Sequence, residues 1–449
     1  ARHVLFQAHA DPAPDPAGAP LRIAAALRGS PGMSAVRSAN LDFAPLLRAG
    51  AVVSWPQGTG EPRGLTRRLV AQRHALPEVE IFIGMVTSDT LSPEHADRFR
   101  FRGLNGAGAN RVLTSAGLID IVPAHVSKIP GLLRAGLLKV DVLLLKVRPH
   151  TSPGIYTTGV IADFIPALVQ SAKTVIAEID ERLPMTGQDA LVRREDIDIF
   201  TQADADEVFL PDPEPSEQER QVAAKVAELI PDGATVQLGV GGLPVAMCRA
   251  LSGHRDLGIH SGVVPDGVVE LMQKGVITNA KKGEGAGVLV TGGLFGTRTL
   301  FDFADGNREV ELRSADYTHN PVVMARINRL YAINSAVEID LTGQVNSEIA
   351  ARRYLGAIGG QADFVRGAQL SPGGRAIIAL SAATPDGKYS KIVPALSNVP
   401  VTTARADIDL VVTEYGVADL RGCSFGERAR RLAAIAHPNF RDSLLAPIR

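Results

Sequence analysis

Short apolar runs rich in β-branched residues alternate along this chain with segments whose apolar positions recur at helical spacing. Residues 231–279 carry the densest example. ATVQLGV (Ala234 to Val240) predicts a short buried strand, and Gly239, Gly241 and Gly242 mark a glycine turn at its end. LPVAMCRAL then shows helical spacing, with Pro244 suited to a first helical turn. LGIHSGVV (Leu257 to Val264) predicts a second strand ending at the same sheet edge. Strand, glycine turn and helix together aim backbone N–H groups at an anion. In open α/β sheets, ligands bind at that carboxyl edge.

The pattern occurs twice. In GAVVSWPQGTGEPRGLTRRLVAQ, Gly50 corresponds to Gly233, Gly58 to Gly241, Pro62 to Pro244 and Leu69 to Leu251. VEIFIGMV (Val79 to Val86) then matches LGIHSGVV, and VDVLLLKVRPHTSPG loosely matches YAINSAVEIDLTG. A repeat of roughly 180 residues is too long for a solenoid. It predicts an α/β protein of two tandem open α/β domains with the active site between them. The prolines of VFLPDPEPSEQER end any element, which places the boundary near Glu214, with domains 1–213 and 214–449. A Pro/Ala-rich loop is expected at ADPAPDPAGAP (residues 10–20), a helix-like stretch at MARINRL, and a closing helix over FGERARRLAAIAHPNFRD.

Composition narrows the class of function. The 449 residues are 45% hydrophobic and 21% charged, with a formal net charge of -1. No field of one sign steers nucleic acid or a membrane surface. The apolar run GLLRAGLLKVDVLLLKV is broken by Arg134, Lys139 and Asp141, so no spanning segment is expected. The chain starts at Ala1, no signal-peptide pattern is present, and a cytoplasmic location is the default expectation. Cys248 and Cys423 cannot form a disulfide framework and are read as buried small hydrophobes. The ten histidines lack ligand spacing, so no metal is expected. Trp55 is read as a core residue.

QGTGEP, LGVGGLP, IHSGVVPDGVVELMQKGVITN, INSAVEIDLTGQVNSE, GGQADFVRGAQLSPGG, SKIVP, VVTEYGVADLRG and IAHPNFRD resemble the acetyl-CoA hydrolase/transferase family, in order from about residue 50 to the end. The 4-hydroxybutyrate CoA-transferase branch is the nearest in pattern. The resemblance implies coenzyme A as ligand, in the form of an acyl-CoA substrate, and a homodimer. It also implies a CoA-site lining from Gly239, Gly241, Gly242, Gly359, Gly360, Gln361, Asp363 and Phe364.

The chain departs from the family at the residue that carries the chemistry. Family transferases hold a glutamate in a His-Thr-Glu-type motif; its carboxylate attacks the thioester and forms a glutamyl-CoA intermediate. Here the motif reads His260-Ser261-Gly262, and Gly262 stands at the glutamate position. Ser261 is expected on the opposite strand face. Loss of that side chain leaves room for water or another nucleophile. Asn346 matches the family's oxyanion-holding asparagine, a contact that contributes about 3 kcal/mol to transition-state binding. His260 is a candidate general base or a structural histidine, and Glu348 and Glu61 are candidate replacement carboxylates. Three functions follow. One is an acyl-CoA enzyme that uses water or a small non-carboxylate acceptor, by thioester hydrolysis, acyl transfer or hydrolytic C–C cleavage of a CoA-linked ketone. The second is a CoA-transferase with another carboxylate. The third is a non-catalytic CoA-binding protein or inactive subunit.

Overall fold

The computed structural model describes residues 36–445. The Pro/Ala-rich loop at residues 10–20 lies outside them. Two sheets dominate. From one edge, the first runs Ile119–Ile121, Phe99–Gly103, Val79–Ile83, Val52–Ser54, Val142–Pro149, Thr174–Ile179, Ile199–Gln202 and Val36–Arg37. The second runs Val310–Leu312, Leu289–Leu294, Gly258–Val264, Thr235–Gln237, Leu330–Asn334, Arg375–Ala379, Leu410–Thr413 and Gly416–Asp419. The halves follow one strand order, so the repeat read from the glycine turns is a repeat of whole sheets. They differ at the last edge: Val36–Arg37 pairs parallel, whereas Gly416–Asp419 returns antiparallel.

The central parallel strands are buried, as strands covered on both sheet faces are, while Phe99–Gly103 and Ile119–Ile121 toward one edge are only partly so. Val142 to Val147 are all buried, even at Lys146. The strand Gly258–Val264 pairs on both sides, with Thr235–Gln237 and Leu289–Leu294. One apolar cluster includes Leu143 and Ile161 of the first half together with Val236 and Leu294 of the second. Backbone bonds reinforce that join. Leu294 N–H donates to the Val160 carbonyl and Ala162 N–H to the Gly292 carbonyl, each at 2.8 Å. Gly106 N–H donates to the Gly356 carbonyl at 2.8 Å, and Val126 N–H to the Gly359 carbonyl at 3.0 Å.

Three local expectations are corrected. MARINRL is not a helix as a whole; the helix is Pro321–Met324, and the remainder turns into the strand at Leu330. The closing helix is two, Phe425–Ala434 and Pro438–Leu445. Pro438 lacks an N–H and cannot continue the first, yet it suits the first turn of the second. Cys248 is buried, but Cys423 is only partly so, in the turn after Asp419. Trp55 lies in the core as expected.

A further tie between the halves is the Asp363 carboxylate, which accepts Ser127 N–H at 3.0 Å and Ser127 Oγ–H at 2.7 Å. Asp363→Ala leaves both donors unpaired and should lower the free energy of unfolding by about 1–3 kcal/mol. Chemical denaturation measures this as a lower midpoint at unchanged slope; an unmoved midpoint would show that the tie carries no stability.

Candidate active site

The carboxyl ends of the two sets of parallel strands meet around a cleft of about 280 Å³. From the first half, Gln57 follows Val52–Ser54, Met85 follows Val79–Ile83, and Asn105 follows Phe99–Gly103. From the second come Gln237, Gly262 and Asn334, with Gly360 and Phe364 at the start of the helix Gln361–Leu370.

Of the residues expected here, Gly239, Gly262, Gly359, Gly360, Gln361 and Phe364 line the cleft. Gly241, Gly242 and Asp363 are not among its lining residues. Gly241 caps the helix Gly242–Ala250, a Cβ on Gly242 would lie 2.5 Å from the Glu219 carboxylate, and Asp363 is held by Ser127.

The residues expected to do chemistry are engaged elsewhere. Asn346 is buried, and its amide donates to Glu338 Oε1 at 3.0 Å and to the Ile349 carbonyl at 2.7 Å, which uses both of its N–H groups. Its Oδ1 accepts Glu348 N–H and Ile349 N–H. Glu348 accepts Tyr354 O–H at 3.1 Å and Thr402 O–H at 2.7 Å, and Glu61 accepts the hydroxyls of Thr66 and Ser88. None of the three lines the cleft. Ser261 Oγ is held by the Leu238 and Val263 carbonyls, also outside the lining. His260 is buried, its Nε2 2.9 Å from the Thr318 carbonyl. Burial, with a smaller push from the Lys282 charge, lowers its pKa to about 3. The ring therefore stays neutral and donates Nε2–H to that carbonyl, which fixes the next residue.

That next residue is His319, and it corrects the expectation of empty space beside Gly262. A Cβ built on Gly262 would lie 2.8 Å from Cε1 and 2.9 Å from Nε2 of His319. One built on Gly360 would lie 2.5 Å from Cδ2 and Nε2 of the same ring. The imidazole thus takes volume that Cβ atoms at both positions would otherwise claim. It follows the short helix Ala315–Thr318, packs edge-on to Phe364 with centroids 4.8 Å apart, and is 6% exposed. Its Nδ1 lies 2.9 Å from Thr318 Oγ1, while its Nε2 has no partner among the described residues. Burial lowers its pKa to about 3.

Asp163 is the acidic side chain lining the cleft among the described residues. Gln57 Nε2 donates to its Oδ2. Burial outweighs that bond and raises its pKa to about 7. Sequence reasoning did not single out His319, Asp163, Gln57 or Asn334. Gln57 and Asn334 sit within the quoted motifs QGTGEP and INSAVEIDLTGQVNSE, just after the strand Val52–Ser54 and at the end of Leu330–Asn334, whereas His319 and Asp163 carry no such mark and enter through the packing of distant segments.

Duplicated parallel sheets with a shared cleft define an α/β protein of the type seen in the crystal structure of RipA from Yersinia pestis. That chain is 30% identical and superposes with a TM-score of 0.83 over 89% of this chain and 93% of its own. The chain belongs to the acetyl-CoA hydrolase/transferase family: the N-terminal domain model matches residues 36–210 and the C-terminal domain model residues 296–448. The 4-hydroxybutyrate coenzyme A transferase of Clostridium kluyveri is 39% identical over 396 residues, 88% of this chain and 92% of that one. The acetyl-CoA hydrolase of Yarrowia lipolytica is 32% identical over 231 residues, 50% of this chain and 42% of that one.

Asp163 makes stability depend on pH. Its folded pKa lies above the unfolded value, so the folded state holds the proton more tightly. This contribution is fully present below pH ~4 and is lost as pH rises through about 7. Asp163→Asn removes that titration. From pH 4 to pH 8 the variant should gain on the order of 3 kcal/mol relative to the parent. Parallel denaturation at the two pH values checks the sign; an unchanged difference would show that the carboxyl is not perturbed.

Proposed function

We propose that the chain acts on acyl-CoA thioesters by direct attack of water, or of a small acceptor that is not a carboxylic acid, without a glutamyl-CoA intermediate. The observation that carries this reading is the wall at Gly262. Gly262, which the motif resemblance matches to the family glutamate, has no side chain, and a neutral imidazole lies against it. Family membership supports the thioester as the reacting bond, and the hydrolase among the relatives supports water as an acceptor on this fold. In hydrolysis, water oxygen bonds the carbonyl carbon, the C–S bond breaks, and the free acid and CoA thiol leave.

A second reading, CoA transfer through another carboxylate, finds support in Asp163. It is the acidic side chain lining the cleft among the described residues. Burial leaves it only about half ionised near neutrality, and Gln57 Nε2–H already occupies one of its oxygens, which weakens it as a nucleophile. The first reading is therefore preferred.

Purified protein given acetyl-CoA or butyryl-CoA should release free thiol with no carboxylic acid acceptor present. Intact-mass spectrometry should find no covalent CoA adduct. An adduct that disappears in Asp163→Asn would establish the second reading. Saturable CoA binding without turnover of either thioester would make the chain a binding protein and sink both.

The geometry also says what restoring a nucleophile requires. Gly262→Glu alone drives its Cβ into the His319 ring. Paired with His319→Asn, a smaller side chain that keeps amide donors, it should form a CoA adduct and pass CoA to acetate. If the double variant folds, binds acyl-CoA and forms no adduct, Gly262 is not the nucleophile position.

A further inference from the structure

The proposed thioester chemistry needs a donor for the carbonyl oxygen, and Asn346 has no free N–H to give. We propose that His319 supplies it, donating Nε2–H to the thioester oxygen as negative charge develops there. This assignment rests on the thioester reading above, but its geometry stands separately.

The tautomer follows from the hydrogen bonds behind the ring. The Ser314 carbonyl already accepts Tyr317 N–H and Thr318 N–H, each at 2.9 Å, so both of its lone pairs are committed. Thr318 Oγ1–H can donate to that carbonyl at 3.1 Å or to His319 Nδ1 at 2.9 Å, and the shorter contact is to the ring. The hydroxyl proton is best placed toward Nδ1. The ring proton then sits on Nε2, the atom that a Cβ on either Gly262 or Gly360 would crowd. Two contacts hold the ring in place, Thr318 at Nδ1 and Phe364 packed edge-on, and His260 steadies the preceding residue through the Thr318 carbonyl at 2.9 Å. A preorganised donor in a water-poor site stabilises developing oxyanion charge without reorganising.

Burial keeps the ring neutral, so it acts as a fixed dipole and neither gains nor loses its proton. The proton account closes without it. Water oxygen bonds the carbonyl carbon, one water proton stays on the acid formed, and the other ends on the departing sulfur. No other reactant is needed.

The test compares His319→Ala, which removes the donor, with His319→Gln, whose amide reaches the place of Nε2. Alanine should lower kcat for thiol release about 10²–10³-fold with KM within about threefold. Glutamine should stay within about tenfold of the parent. An independent readout is the ¹⁵N spectrum of the histidine rings of the parent, with the His319 signals identified by their loss in His319→Gln. The Nε2–H tautomer is expected. A deprotonated Nε2, alanine as active as the parent, or glutamine no better than alanine would each overturn the donor assignment while leaving the thioester reading in place. A parent that releases no thiol would overturn the thioester reading and the catalytic role together, although the ring spectrum would still report the tautomer. If His319→Ala does not fold, His319→Gln and the ring spectrum decide. Glutamine activity a hundredfold or more below the parent then counts against the donor.

Discussion

The cleft depends on one steric exchange: an imidazole occupies space that side chains on two neighbouring backbone segments would otherwise fill. Gly262 lies in a strand and Gly360 at the head of a helix, and a Cβ on either would approach the His319 ring closer than 3.0 Å. Interiors this tightly packed do not absorb extra atoms without displacement. The ring has little freedom to yield, because Thr318 holds its far nitrogen and Phe364 packs edge-on to it. Glycine at 262 is thus tied to histidine at 319, and neither residue makes sense alone.

The same packing sets the charge in the cleft. Burial keeps His260 and His319 neutral and pushes the Asp163 carboxyl up to about 7. A wall with so little fixed charge favours chemistry driven by oriented dipoles over chemistry led by an attacking anion. A bare carboxylate on that wall would have to be desolvated, at a cost of several kcal/mol without a partner. The neutral His319 ring carries no such cost and leaves a polarised group in the cleft wall.

Local pattern carried much of this architecture. The glycine turns at Gly58 and Gly241 announced the duplicated strand–turn–helix, and the loose match of VDVLLLKV to YAINSAVE picked out strands that hold equivalent places in the two sheets. Gly262 stood out because a motif prescribed an acid there. His319 did not, since its meaning lies in contacts with residues 262 and 360, far along the chain and set only by packing. Asn346 and Glu348 sat in a motif-rich segment that predicted proximity to substrate. In the fold they bond inward, to Glu338, Ile349, Tyr354 and Thr402. A motif fixes which residues are neighbours in sequence; the direction of an amide depends on which carbonyls lie within reach.

Duplication also explains how a carboxyl and a donor come to share the cleft without sharing a half of the chain. The segment Val160–Asp163 of the first half lies along the strand Leu289–Leu294 of the second, where Ala162 N–H and Asp163 N–H both donate to the Gly292 carbonyl. Gly292 in turn packs on Gly262, since a Cβ there would lie 2.7 Å from the Gly262 carbonyl oxygen. One continuous run of backbone contacts therefore links the Asp163 carboxyl to the glycine wall. Two small residues in succession, Gly262 and Gly292, allow that approach. The first half can then contribute a group that titrates near neutrality while the second contributes a ring that does not. The cleft therefore pairs one group able to exchange a proton near neutrality with another whose dipole stays fixed.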